Sequence, residues 1–272
     1  MLAADLIWPL HGAPDGAFTL EDTAAKPEQA VVTAVDRPVL LGYAPEHPNG
    51  RAMLILGGGG YVALMAGREV VQVARWLAGL GYHAFVLLHR FPHAGTGPSA
   101  PLDDALAAMA MIRASGLADQ GLGVVGLSSG GHLAACLIAG YPAAWGKAAP
   151  QRPDVLVVGY APISTNAFGR TIVADKPPLP PVEKQALYDA LQPDAQLLPG
   201  PPPTFIVYAG NDPVVPVENA HRLHDALKAA GGQPELHIFA DAPHGFALDT
   251  PDQPVSLWPK LCEAWLRQQH FL

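Results

Sequence analysis

Short apolar runs punctuate the chain. Residues 52–56 (AMLIL), 84–88 (AFVLL), 122–125 (LGVV), 155–158 (VLVV) and 204–208 (TFIVY) carry almost no polar side chain. Such runs predict strands buried on both faces of a sheet. Residues 235–239 (ELHIF) predict one more strand. Between these runs the period lengthens. In residues 68–80, Val70, Val73, Ala74, Leu77 and Leu80 fall on one helical face, and Gly81 supplies a natural stop. Residues 101–114 predict a helix, with Pro101 at its start and Asp103 and Asp104 in the first turn, where the helix dipole favours acid. Further helices are predicted over 182–191, over 217–230 before Gly231-Gly232, and over 257–268. Strand and helix alternate, which predicts an α/β fold: a mostly parallel, doubly wound sheet with helices on both faces.

Three stretches break the alternation. Residues 1–30 are rich in Pro, Gly and Ala and predict an irregular lead-in. Residues 31–43 (VVTAVDRPVLLGY) have strand composition, and Pro38 demands an edge or a break between two strands. Residues 161–203 hold a run of prolines around the helix at 182–191. So long an excursion predicts a cap or lid on a single domain spanning 1–272.

Composition narrows the function classes. Of the 272 residues, 50% are hydrophobic and 15% charged, which suits one large core and not disorder. The net charge of −8 is interspersed, with no basic stripe, so nucleic acid and anionic membrane are not expected partners. No apolar run reaches the length of a membrane span. The opening MLAADLIWPLHG has neither a basic segment nor a long apolar one, so no signal peptide is expected. The compartment stays open: cytoplasmic is the expectation where no signal peptide is visible, periplasmic or secreted where the chain was trimmed. Cys136 and Cys262 sit in apolar helical patterns and are expected as buried thiols, not as a disulfide or metal site.

The candidate chemistry begins at Gly126-Leu127-Ser128-Ser129-Gly130, between the strand at 122–125 and a helix from Gly130 onward. A G-x-S-x-G turn in that context lifts its serine out on a sharp strand-to-helix bend. A serine hydroxyl needs a base to become a nucleophile, and the base needs a carboxylate to fix its tautomer. Two later strand ends carry those types: Asp212 in AGNDP after 204–208, and His244 in ADAPHGF after 235–239. Asp241 is a rival acid, but it lies only three residues before His244. His132 is expected to pack within the helix. His89 and His93 follow the strand at 84–88, either lining a pocket or lying on a surface loop. For a developing oxyanion the Ser129 amide is one donor, and the run Gly57 to Gly60 offers others that approach closely for want of side chains. That run ends in no Lys-Ser/Thr and does not fit G-x-G-x-x-G, so it is not read as a phosphate cradle. Tyr61, beside it, is either a substrate-binding wall or ordinary packing.

The pieces GGGGY with Arg68-Glu69 behind it, FVLLHRFP, PLDDA, VVGLSSGGHLAA, RPDVLVVGYAP, PPTFIVYAGNDPVVPVENA and ELHIFADAPHGFAL run in order through residues 50–250. In these the chain resembles the α/β-hydrolase esterases related to bacterial acetylxylan esterases. The resemblance implies Ser128 as nucleophile, His244 as base, Asp212 as its orienting acid, and an oxyanion hole of Gly59, Gly60 and Ser129. The loop in that family usually opens with His or Pro where this chain has Gly57, and Ala usually stands where it has Ser129. The implied partner is a small-molecule ester, a sugar acetate by resemblance; the residues themselves specify acyl transfer to water. Such a reaction needs no metal and no organic cofactor. An amidase or peptidase on the same fold, and a non-catalytic binding protein on a hydrolase scaffold, are the alternatives.

Overall fold

The computed structural model describes residues 2–21, 29–147, 151–164 and 180–272. In chain order its elements are β1 (Leu6–Pro9), β2 (Phe18–Glu21), β3 (Val31–Val35), β4 (Val39–Tyr43), β5 (Ala52–Leu56), α1 (Gln72–Gly79), β6 (His83–Leu88), α2 (Ala100–Ala114), β7 (Leu122–Leu127), α3 (Ser129–Cys136), β8 (Val155–Gly159), α4 (Val182–Ala190), α5 (Pro193–Gln196), β9 (Thr204–Ala209), α6 (Glu218–Ala229), β10 (Glu235–Phe239) and α7 (Trp258–Gln268). The predicted helices and buried strands are all present, most within a residue or two of the expected bounds.

Eight strands form one sheet in the order β1-β4-β6-β5-β7-β8-β9-β10. The strands from β6 to β10 in that order run parallel, while β4 joins β6, and β1 joins β4, antiparallel. Every residue of β5, β7, β8 and β9 is buried, as their apolar runs require. β5 pairs with β6 on one side and β7 on the other, so the strand order reverses there. In open α/β sheets the crevice beyond the carboxyl ends at such a reversal is where ligands bind.

Right-handed crossovers then dictate the faces. α1 packs on β4, β5 and β6. α2 and α3 pack on each other and on β5 and β7 from the opposite face. α7 joins the face of α1: the rings of Trp76 and Trp258 meet edge-on at 5.3 Å, and Trp76 Nε1 donates to the buried Glu263 at 3.2 Å.

Two expectations are corrected. The lead-in is not wholly irregular, since β1 forms the sheet edge and β2 pairs with β3 in a separate two-stranded ribbon. Four-residue strands among Pro and Gly carry little local signal, and pairing partners distant in sequence decide them. The helix expected from Arg68 starts earlier, as a π-helical turn over Ala66–Val71 that runs into α1. At Pro38 the break is real: β3 and β4 belong to different sheets. Cys136 and Cys262 are buried and unpaired. Of the stretch 161–203, residues 165–179 lie outside the described residues; the remainder carries α4 and α5, the latter against α3 and α6.

Candidate active site

Ser128 sits where β7 turns into α3, with φ 53° and ψ −125°. Side chains avoid this backbone region, so the turn is held under strain. Its own bonds hold it: the Ser128 amide donates to the Gly159 carbonyl at 2.9 Å, and its carbonyl accepts from Gly131 and His132 at 2.9 and 3.2 Å. The flanking glycines are steric necessities. A Cβ at Gly126 would lie 2.3 Å from the Gly130 oxygen, and one at Gly130 would lie 2.1 Å from the Leu56 oxygen.

Three strand ends converge on this serine. Ser128 Oγ lies 3.0 Å from His244 Nε2, and His244 Nδ1 lies 2.7 Å from Asp212 Oδ2. A carboxylate only accepts, so Nδ1 carries the proton and Nε2 faces the hydroxyl as an acceptor. Asp212 turns its other oxygen to the amides of Val214 and Val215 at 2.8 and 2.9 Å. Burial pushes its carboxyl up, but the His244 bond and these amides outweigh burial and hold it below the usual carboxylate range. The Asp212 side chain is completely buried, whereas that of His244 is 18% exposed. The rival Asp241 is exposed and accepts from Asn211 Nδ2 at 2.5 Å. Asn211 in turn accepts from the Ala242 amide at 3.1 Å, tying the Asp212 loop to the His244 loop.

The glycine loop follows β5, the neighbour of β7, and lies against the serine: a Cβ at Gly58 would meet Ser128 Cβ at 2.6 Å. Its amides are not all turned the expected way. Gly58 donates to Glu69 Oε2 at 2.7 Å, and Gly60 donates to Ser129 Oγ at 2.9 Å. The Gly60 amide, expected in the oxyanion hole, is thus engaged by a side chain in this structure. Among the described residues no hydrogen bond occupies the amides of Gly59 and Ser129. Ser129 opens α3, where an amide has no acceptor one turn back.

The other candidates resolve as follows. Tyr61 is 1% exposed and packs inward. Its hydroxyl lies 2.8 Å from His132 Nδ1, and its ring contacts those of His89, His132 and Tyr188. Packing, not a substrate-binding wall, is its place. His132 Nε2 meets the Leu191 carbonyl at 2.9 Å, so Nε2 carries the proton and Nδ1 accepts from Tyr61. Burial lowers the His132 pKa to about 4. His89 is also buried, contrary to the surface-loop reading, while His93 is exposed. Sequence reasoning missed Glu69, buried in the π-helical turn and bonded to the loop. The one available signal was an acid on the otherwise apolar side of a helix. It also missed the hydroxyl of Ser129, of which only the amide was considered.

Sheet order, crossovers and a serine on the strand-to-helix turn define an α/β-hydrolase. The family model of the prolyl oligopeptidase family matches residues 94–269, and the chain belongs to that family. It is 26% identical over 250 residues to an acetylxylan esterase of Xylanibacter ruminicola, covering 86% of this chain and 49% of that protein. The chain thus spans about half the length of that relative. An acetyl ester-xyloside bifunctional hydrolase from Caldicellulosiruptor lactoaceticus is similar in structure, with TM-score 0.70, 28% identity, and 98% and 97% of the two chains covered. A carboxylesterase from Lactobacillus plantarum shares the fold at TM-score 0.72 and 20% identity, over 94% of this chain and 98% of that one.

Proposed function

We propose that the chain is a serine carboxylic-ester hydrolase of short-chain acyl esters, acetyl groups on sugars or xylan fragments above all. The observation that carries this reading is the hydrogen-bonded line from Ser128 through His244 to Asp212, at 3.0 and 2.7 Å. Ser128 Oγ attacks the ester carbonyl as His244 Nε2 takes its proton. Asp212 holds the ring in that tautomer and favours the imidazolium that forms. The amides of Gly59 and Ser129 receive the oxyanion, the alcohol leaves with the proton from His244, and water clears the acyl-enzyme by the same steps. The choice of acetyl and sugar-linked esters rests on the acetylxylan esterase and the acetyl ester-xyloside hydrolase to which the chain is similar.

One domain carries the site in this reading, with the 161–203 excursion as its cap. Two contacts of α4 support that: Tyr188 packs on Tyr61 at 5.6 Å, and a Cβ at Gly60 would lie 3.5 Å from Lys184 Nζ. Peptide cleavage is the second reading, favoured by the oligopeptidase family match. A panel of acetylated xylo-oligosaccharides, simple alkyl acetates and peptide nitroanilides tests both. The ester reading expects kcat/KM on the acetates to exceed that on the nitroanilides by orders of magnitude; the reverse ranking sinks it.

A further inference from the structure

Glu69 is an acid, 3% exposed, in the turn that enters α1; burial pushes its carboxyl above the ordinary range, against the pull of the Gly58 amide. A buried acid costs stability unless its oxygens are satisfied. Both face donors that belong to the site. Oε2 accepts from the Gly58 amide at 2.7 Å, the short separation of a charge-assisted bond. Gly58 is the loop residue pressed against Ser128. Oε1 lies 3.4 Å from the hydroxyl of Tyr160, which itself accepts from the Ala247 amide. A Cβ at Gly245, next to His244, would lie 3.2 Å from the same Oε1. The Tyr160 ring stands edge-on to the His244 ring at 5.2 Å. Beside these contacts, Arg68 pairs with Asp249, joining the same turn to the segment after His244.

One side chain therefore touches the glycine loop on one side and the histidine loop on the other. We propose that Glu69, with Tyr160, is a positioning residue for the hydrolysis inferred above: through Gly58 it sets the glycine loop against Ser128, and through Tyr160 it fixes the ring that stands beside His244. The role rests on the hydrolase reading. Asp212 orients the imidazole from Nδ1; Glu69 acts from the side of the glycine loop, where Asp212 makes no contact.

The test uses Glu69→Gln, which keeps the shape but offers one acceptor oxygen where Gly58 and Tyr160 present two donors. With p-nitrophenyl acetate, kcat falls about ten-fold or more while KM stays within about two-fold. Tyr160→Phe keeps the bond from Gly58 to Glu69 and removes the one from Tyr160, so it lowers kcat by about three-fold at unchanged KM. If Glu69→Gln does not fold, the Tyr160→Phe kcat decides: a loss at unchanged KM supports the role, and a wild-type value overturns it. A folded Glu69→Gln with wild-type kcat also overturns it. Ser128→Ala in the same assay separates the two readings. Activity surviving there overturns the hydrolase and this role with it. Activity lost there, with Glu69→Gln at wild-type rate, overturns the role of Glu69 alone.

Discussion

Ser128 stores strain that a better-behaved residue would not. Its φ of 53° and ψ of −125° cost an L-residue about 1–2 kcal/mol and cost glycine almost nothing. Ser128→Ala and Ser128→Gly both remove the hydroxyl, so their difference isolates the backbone. Urea unfolding should find Ser128→Gly more stable than Ser128→Ala by about 1 kcal/mol. Equal stabilities would mean that the turn is unstrained. At Asp212 the expectation concerns tautomer: Asp212→Asn presents an amide where Nδ1–H needs an acceptor, and turnover should fall by about four orders of magnitude at neutral pH with the fold intact. Ser129→Ala removes the bond to Gly60 but not the Ser129 amide. Its cost should be about 1 kcal/mol in kcat/KM, roughly five-fold. A loss of several hundred-fold would instead mean that the hydroxyl itself meets the transition state.

The elements around the site are joined by one buried histidine. His132, on α3, donates to the Leu191 carbonyl at the end of α4 and accepts from Tyr61 beside the glycine loop. Its folded pKa is about 4, below the ordinary imidazole value of 6.5, because burial disfavours the cation. The sign follows: the unfolded chain takes up a proton there first. The stability it contributes is complete above about pH 6.5 and is lost as pH falls towards 4. At about 1.4 kcal/mol per unit, about 3 kcal/mol disappears over that window. Denaturant midpoints taken at intervals from pH 7 to 4 should fall steeply for the wild type and less steeply for His132→Gln. Identical slopes would show that His132 is not held neutral. The same network settled Tyr61. In the sequence it is an aromatic next to a glycine loop, compatible with pocket or core, and only the positions of His132 and Tyr188, distant in the chain, place it in the core.

For the molecule as a whole, what was legible is what local chemistry dictates. Runs such as AMLIL and TFIVY have no stable place except inside a parallel sheet, so the order of strands and helices followed from them. The convergence of Ser128, Asp212 and His244 was legible because each follows a predicted strand, and parallel strands bring their carboxyl ends to one edge. Features set by partners far away were not legible. β1 exists because β4 pairs with it. Asp104, expected to serve a helix dipole, is buried under a two-pronged bond from Arg90, with Nη2 2.6 Å from Oδ1. The Gly60 amide donates to the hydroxyl of Ser129, 69 residues further along the chain. Central to the proposed function is that groups arriving from other strand ends make Ser128 nucleophilic. The direct measurement is reaction with an organophosphonate, followed by peptide mapping and residual esterase activity. The account predicts one adduct, on Ser128, growing in step with loss of activity and strongly slowed in Asp212→Asn. Inactivation with the adduct on another residue, or hydrolysis undiminished while Ser128 is fully modified, would contradict it.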